Sequence, residues 1–156
     1  MRLTICAVGR LRGGPEAELV DDYLRRLGRT GGPVGLGPAN VVEVEDRSGR
    51  GAGAEAELLR RALPKGAAVC ALDERGRMHD SPGFAQLLGG WRDAGRPAAA
   101  FVIGGADGLA PEFRDGADAV LSFGPMVWPH MLARAMLSEQ LYRAVSILAG
   151  TPYHRA

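Results

Sequence analysis

Cysteine is scarce in this sequence, which carries only Cys6 and Cys70, each inside an apolar run. A disulfide framework or a cysteine-based metal site needs more cysteines at short, regular spacings. We therefore expect neither a disulfide nor a bound metal. Both cysteines are predicted to be buried strand residues.

Net charge and long apolar runs are also lacking. The formal net charge is +1, so the overall electrostatics does not indicate a nucleic-acid partner. No apolar run approaches the roughly 20 residues that span a membrane, and residues 1–10 are interrupted too early for a signal peptide. We expect a cytoplasmic protein that does not bind a membrane.

The sequence does contain a regular alternation of short apolar runs and helical patterns. We assign residues 1–156 to a single domain, since this length suffices for a substantial core. Strands are predicted at residues 2–8, 41–44, 67–72, 98–103 and 119–122. Helices are predicted at residues 15–27, 54–63, 81–92, 111–114 and 130–148, with a loop at 28–38, a turn at 73–76 and Ser81 as a helix N-cap. The pattern predicts an α/β fold, a parallel-type sheet flanked by helices on both faces.

The helix predicted at residues 130–148 is apolar around almost its whole circumference. A small domain offers limited interior for such a helix, so we predict a homodimer. Glu139 and Arg143 lie four residues apart on this helix, a spacing that lets them pair on one face. A solvated ion pair and a functional pair both fit this spacing.

Three turns follow the ends of predicted strands, at residues 72–74, 103–108 and 123–128. In open α/β sheets, ligands bind beyond the carboxyl ends of the strands. Gly104 and Gly105 directly follow a buried strand, which lets a ligand approach the backbone. A dinucleotide fingerprint would require glycine at Ile103, and the Gly-Lys-Ser/Thr of a P-loop is missing. A ligand-binding turn and a purely structural turn are the remaining interpretations.

Tyr153, His154 and Arg155 lie next to the end of the sequence, where small polar residues are usual. We therefore expect this tail to dock. His130 lies at the beginning of the last predicted helix, and a structural role stays open for both histidines. We also expect the glycine turn and the tail to enclose one cavity, from the same subunit or from opposite subunits.

Several stretches together resemble the ribosomal RNA large-subunit methyltransferase H family, a small member of the SPOUT (trefoil-knotted) methyltransferases. They include LDERG at residues 72–76, FVIGGADG at 101–108, EQLYRA at 139–144 and PYHR at 152–155, together with residues 3–9, 23–26, 129–130 and Arg134. The resemblance spans the whole chain and implies a SPOUT-like fold with a C-terminal trefoil knot, and a homodimer. It also implies methyl transfer from S-adenosyl-L-methionine to N3 of pseudouridine 1915 in 23S ribosomal RNA on assembled ribosomes.

The resemblance also implies site residues by position. The cofactor would contact Leu72, Gly104, Gly105 and the loop of Phe123, Gly124, Pro125, Met126, Val127 and Trp128. The catalytic and supporting residues would be Tyr153, His154, Arg155, His130, Glu139 and Arg143. The sequence departs from the family pattern at Ala156, at residues 126–128 and in the glycine-rich residues 28–38. None of these departures removes a named catalytic group.

These residue types suit methyl transfer to a weakly acidic nitrogen, which must be held in line with the methyl group and must lose its proton. His154 is the candidate base. Arg155 or Arg143 would stabilise the negative charge that develops on the base oxygens, and Tyr153 is available for stacking. The rival interpretation is a ribosome- or RNA-binding module that has lost catalysis.

Overall fold

The computed structural model describes residues 1–155, which form one five-stranded sheet. Ala156, one of the departures from the family pattern, lies outside the described residues. The strands are β1 (Arg2–Val8), β2 (Ala39–Val44), β3 (Ala68–Met78), β4 (Ala98–Ile103) and β5 (Ala119–Ser122). Their order is β2-β1-β4-β3-β5, and every neighbouring pair is parallel. The predicted parallel sheet is confirmed.

Helices cover both faces of this sheet, as predicted. They are α1 (Gly14–Gly31), α2 (Ala52–Ala62), α3 (Ser81–Asp93), α4 (Pro111–Asp115) and α5 (His130–Ala149). Alternate residues of β1 point to opposite faces, so Ile5 joins the core under α1, α3 and α5, and Cys6 joins the core under α2 and α4. Every residue of β4 is buried, which explains its uninterrupted apolar sequence.

Both cysteines are buried and free, as the sequence predicted. Burial raises the pKa of the Cys6 thiol to about 11. Burial also raises the pKa of the Cys70 thiol to about 12. Because the thiolate is the reactive form, both residues are inert packing groups.

Helix α1 is longer than predicted. It continues to Gly31 and is followed by a 3-10 turn at Gly32–Val34, so the prediction of loop for residues 28–31 was wrong. A Cβ at Gly31 would lie 2.2 Å from the Leu36 carbonyl oxygen, because the chain returns closely over the end of the helix. Tertiary packing here outweighs the poor helix propensity of glycine.

Strand β3 continues through the turn predicted at residues 73–76. Leu72 and Arg77 both lie opposite Leu121 of β5, so the residues between them form an irregularity in the ladder. A Cβ at Gly76 would lie 2.6 Å from the Val120 carbonyl oxygen, which is why glycine occupies this position. The irregularity lies at the end of the sheet where β4 and β5 also end.

The residue that caps α3 also differs from the prediction. Asp80 is the N-cap, and its Oδ1 accepts a hydrogen bond of 2.7 Å from the Gly83 N–H. Ser81 begins the helix instead, and its hydroxyl donates to Gln140 Oε1 of α5 at 2.9 Å. The serine therefore links two helices.

Helix α5 is buried largely by its own chain, because it packs against both α1 and α3. The apolar circumference that suggested a homodimer is thus mostly covered within one subunit. The homodimer and the trefoil knot stay predictions. Within residues 1–155, no helix combines the length and the apolar character needed to cross a membrane.

Candidate active site

Two cavities lie side by side at the carboxyl ends of the strands. The turn cavity, named for the glycine turn that lines it, has a volume of about 390 Å³. The tail cavity, named for the C-terminal residues that line it, has a volume of about 870 Å³. Leu121, Phe123 and Gly124 line both cavities, so the segment after β5 forms a common wall.

The glycine turn at the end of β4 is tightly folded. The Gly108 N–H donates to the Gly105 carbonyl oxygen at 3.0 Å, and Gly108 has a φ of +75°. A Cβ at Gly104 would lie 2.7 Å from the Gly108 carbonyl carbon. The turn requires glycine for its own geometry, and that geometry brings its backbone to the wall of the turn cavity.

Carboxylates surround the turn cavity. Asp73, Glu74 and Asp107 line it. Glu55 of α2 packs behind the glycine turn, where a Cβ at Gly105 would lie 3.0 Å from its Oε2. Burial raises the pKa of Glu55, and the carboxylates of Asp107 and Asp46 raise it further. Arg75 lines the cavity as well and pairs with Asp73 at 3.4 Å, so Glu74 and Asp107 leave the lining with a net negative charge, which favours a ligand that carries positive charge.

The loop after β5 presents apolar side chains to solvent beside the turn cavity. Met126 is 69% exposed, Val127 is 88% exposed and Trp128 is 38% exposed. All three line the cavity. Large apolar side chains exposed together mark a surface that a ligand or a partner covers.

Glu139, midway along α5, is the centre of a polar cluster. Its Oε1 accepts hydrogen bonds from Arg143 Nε at 2.9 Å and from the Tyr153 hydroxyl at 3.0 Å. Its Oε2 accepts one from Gln140 Nε2 at 2.9 Å. Both oxygens are thus engaged, and the tail joins the pair, so Glu139 and Arg143 are more than a solvated ion pair.

The tail docks on α5, as expected. His154 Nδ1 lies 3.2 Å from Arg143 Nη1. A guanidinium can only donate, so Nδ1 is the acceptor and the neutral ring carries its proton on Nε2. Burial raises the pKa of Tyr153 above its usual value, and hydrogen bonds with Tyr23 and Glu139 raise it further. The phenol is therefore a neutral donor.

The predicted site residues divide between the two cavities. The turn cavity is lined by Leu72, Gly104, Gly105, Phe123, Gly124, Met126, Val127, Trp128 and His130. The tail cavity is lined by Phe123, Gly124, Glu139, His154 and Arg155. Pro125, Arg143 and Tyr153 line neither. Within one chain, the glycine turn and the tail therefore lie in neighbouring cavities, because the segment after β5 stands between them.

Three residues of this region were given no site role by sequence reasoning. Ser81 and Gln140 line the tail cavity and connect α3 to Glu139 through the hydrogen bonds described above. Arg134 is 2% exposed and donates from Nη1 to Glu43 Oε2 at 2.6 Å. A single charged residue on an apolar helical face was the available signal for Arg134. No local signal indicated its partner.

Comparison with known proteins identifies the relatives of this chain. Its residues 1–154 match the family model described as predicted SPOUT methyltransferase. The ribosomal RNA large subunit methyltransferase H of Dinoroseobacter shibae is 67% identical over 155 residues, covering 99% of both chains. The protein of the same name from Ruegeria pomeroyi is 64% identical with the same coverage.

Solved structures support the fold. A probable methylase family protein from Haemophilus influenzae is similar with a TM-score of 0.54 at 15% identity, over 99% of this chain and 70% of the other. A probable methyltransferase from Bordetella pertussis is similar with a TM-score of 0.52 at 16% identity, over 92% of this chain and 96% of the other. At these identities the likeness concerns the fold alone. Together with the family model and the full-length relatives, it leads to one conclusion: this chain belongs to the SPOUT methyltransferase family.

Proposed function

We propose that this protein is an S-adenosyl-L-methionine-dependent methyltransferase that methylates N3 of pseudouridine 1915 in 23S ribosomal RNA on assembled ribosomes. The names of relatives at 63–67% identity support a ribosomal RNA substrate. The observation that carries the proposal is the turn cavity, which combines exposed glycine backbone, apolar walls and carboxylates at the ends of parallel strands.

The residues of the turn cavity fit this cofactor. The volume of about 390 Å³ falls within the range of small-molecule sites. Leu72, Ile103 and Trp128 offer apolar surface to an adenine ring, and Glu74 and Asp107 offer negative charge to a sulfonium and an ammonium group. When bound, the cofactor supplies a methyl group that is already activated for transfer.

The tail cavity is the proposed place of the target base. It adjoins the turn cavity along Phe123 and Gly124, and His154 and Arg155 line it. Loss of the N3 proton leaves negative charge on the base oxygens, which cations and N–H donors stabilise. Arg155 therefore supplies such a cation next to the cofactor, in a cavity that Asp80 and Glu139 also line.

The docked tail suggests how the roles divide. Because His154 Nδ1 accepts from Arg143, its Nε2–H is free to donate to a base oxygen, and this geometry favours a donor role over the role of base. Arg155 supplies the cation, and the N3 proton passes to solvent. The Tyr153 ring packs on Tyr142 with centroids 4.5 Å apart, which favours support of the tail over stacking on the substrate.

A homodimer is also part of the proposal, and the exposed apolar side chains at the two cavities support it. Of the five large apolar residues that are exposed within residues 1–155, four line the two cavities: Met78, Met126, Val127 and Trp128. A second subunit that covers this surface would bury these apolar side chains and enclose His130 at the edge of the turn cavity. A cytoplasmic location follows from a ribosomal substrate.

Methylation of ribosomes from cells that lack this protein tests the substrate. Purified protein and labelled S-adenosyl-L-methionine are added to assembled ribosomes, to free large subunits or to naked 23S RNA, and the RNA fragments are analysed by mass spectrometry. We expect one added methyl group on the fragment that contains the pseudouridine, with assembled ribosomes as the best substrate. Methylation of a different nucleotide, or none at all, contradicts the proposal.

Ligand-induced thermal stabilisation separates the enzyme from a binding module that has lost catalysis. We expect S-adenosylhomocysteine to raise the Tm, and Trp128→Ala to reduce the increase because Trp128 lines the turn cavity. Leu19→Ser is the matched control, since Leu19 is also exposed, at 43%, but lies on α1 away from both cavities. An unchanged Tm of the wild-type protein at saturating ligand favours the binding module.

A further inference from the structure

Arg26 of α1 lies among three tyrosine rings. Its guanidinium carbon is 4.6 Å from the ring centre of Tyr142, 5.2 Å from that of Tyr153 and 5.5 Å from that of Tyr23. All three distances fall within the 6 Å or so over which a cation and an aromatic face attract each other. We call Arg26 and these three tyrosines the tyrosine cluster.

The tyrosine cluster joins three separate parts of the chain. Tyr23 and Arg26 belong to α1, Tyr142 belongs to α5, and Tyr153 belongs to the tail. The rings of Tyr142 and Tyr153 are in contact, with centroids 4.5 Å apart, and those of Tyr23 and Tyr142 are 6.2 Å apart. The cluster therefore fixes the tail against the pair of helices α1 and α5.

A solvated ion pair does not account for Arg26. Asp22 lies one helical turn earlier, and its carboxylate is 3.5 Å from Arg26 but 2.6 Å from the neighbouring Arg25. Asp22 therefore pairs with both arginines through different oxygens, and more closely with Arg25. The side chain of Arg26 is also the less exposed of the two, at 37% against 61%. Its position over the rings is the contact that distinguishes it.

We propose that Arg26 is a positioning residue, which holds Tyr153 in place and so sets the orientation of His154 and Arg155. The proposal rests on the proposed function, because it assigns a purpose to the docked tail. Tyr153 is clamped between Arg26 and Arg143, whose guanidinium carbon is 4.8 Å from the same ring. The next residue, His154, contacts Arg143, and Arg155 follows at the tail cavity. Release of one side of the clamp frees all three tail residues.

Arg26→Ala and Arg25→Ala form a matched pair that tests this role. Both remove an arginine from α1 that lies near Asp22, but only the first removes contacts with the tyrosine rings. We expect Arg26→Ala to speed hydrogen exchange of the backbone amides at residues 151–155, except that of Pro152, which has none. We also expect it to lower kcat about tenfold with little change in KM for the cofactor. Arg25→Ala should leave both measurements unchanged.

Two further variants keep the test decisive if Arg26→Ala lowers the stability of the fold. Arg26→Lys retains a cation near the rings and should restore part of the loss, whereas Arg26→Gln should not. In a Tyr153→Leu background, Arg26→Ala should have little additional effect, because both changes release the same contact.

Unaltered exchange and unaltered kcat in Arg26→Ala overturn the positioning role, as does full additivity with Tyr153→Leu. Failure of the proposed function gives a different result. In that case the wild-type protein does not methylate ribosomes, and the exchange measurement still decides whether Arg26 holds the tail.

Discussion

Two arginines of helix α5 form ion pairs that differ in their burial and in the sequence distance between the partners. Arg134 and Arg143 lie nine residues apart on the same helix, and each pairs with a glutamate. The partner of Arg134 is Glu43 on β2, 91 residues away, whereas the partner of Arg143 is Glu139, one helical turn away. The side chain of Arg134 is 2% exposed and that of Arg143 is 24% exposed.

The difference separates a pair that holds the fold from a pair that forms a site. Arg134 also donates from Nη2 to the Gly9 carbonyl oxygen at 3.2 Å, so it ties α5 to the ends of β1 and β2. Arg143 instead turns Nη1 to the tail, and its carboxylate partner accepts from the tail as well. Loss of the first pair should lower the stability of the fold, and loss of the second should leave a stable protein with a misplaced tail.

The largest effect on stability is expected from Glu43→Gln. This change leaves the charge of Arg134 buried without a counter-charge, beside an Arg134 Nε–H that already lacks a hydrogen-bond partner. We expect a loss of about 3 kcal/mol of unfolding free energy, the low end for a broken buried pair, because Glu43 is partly exposed. Urea unfolding, monitored by circular dichroism, measures this loss of unfolding free energy.

Glu45→Gln is the control for this change. Glu45 follows the same strand and pairs with Arg10 at 3.1 Å, but both side chains are about half exposed. Exposed pairs contribute little, so we expect a loss of less than about 1 kcal/mol. Equal losses in the two variants would show that the Arg134 pair does not hold the fold.

Glu139→Gln should have its main effect on activity. The variant removes the charge that fixes Arg143 and weakens the acceptor of the Tyr153 hydroxyl. We expect single-turnover methylation to fall about 100-fold, or about 2.7 kcal/mol in activation free energy, with an unfolding free energy within about 1 kcal/mol of the wild type. Retention of full activity would remove Glu139 from the proposed site.

The same contrast explains what could be predicted from the sequence. Strands β1 and β4 were predicted with their observed bounds, because a buried parallel strand is an uninterrupted apolar run. The Glu139–Arg143 pair was also predictable, since a spacing of four residues places two side chains on one helical face. Both features depend on residues that are neighbours in the sequence.

Features that depend on distant residues could not be predicted in this way. Glu43 reads as an ordinary polar residue of a short strand, and only the fold brings it to Arg134. The prediction ended helix α1 too early, because helix propensities carry no information about the contact of Gly31 with Leu36. The position of the segment after β5 between the turn cavity and the tail cavity also depends on the fold, so it could not be predicted.

Acid should weaken the Arg134 pair only at low pH. Burial alone would raise the pKa of Glu43, but hydrogen bonds from the Leu11 N–H and from Arg134 outweigh it, so the pKa is lowered. The stabilisation is therefore fully present above the pKa of an unfolded glutamate and is lost as the pH falls through the lower folded value. We expect the wild type to lose more stability than Glu43→Gln between about pH 5 and about pH 3, measured by urea unfolding. Parallel losses would contradict this assignment.

The smallest effect is expected from Tyr153→Phe. The variant loses the hydrogen bond to Glu139 but keeps the ring between Arg26 and Arg143. A net contribution of about 1 kcal/mol for one hydrogen bond corresponds to a loss of about fivefold in single-turnover rate. Because the pKa of Tyr153 is raised, the phenol stays neutral, and the ratio of wild type to variant should not change between pH 7 and about pH 9.

Tyr153→Leu removes the ring as well and should lower the rate further. If Tyr153→Phe were as inactive as Glu139→Gln, the hydroxyl would be part of the chemistry, and the tail would depend on one hydrogen bond more than on the aromatic contacts that hold its ring.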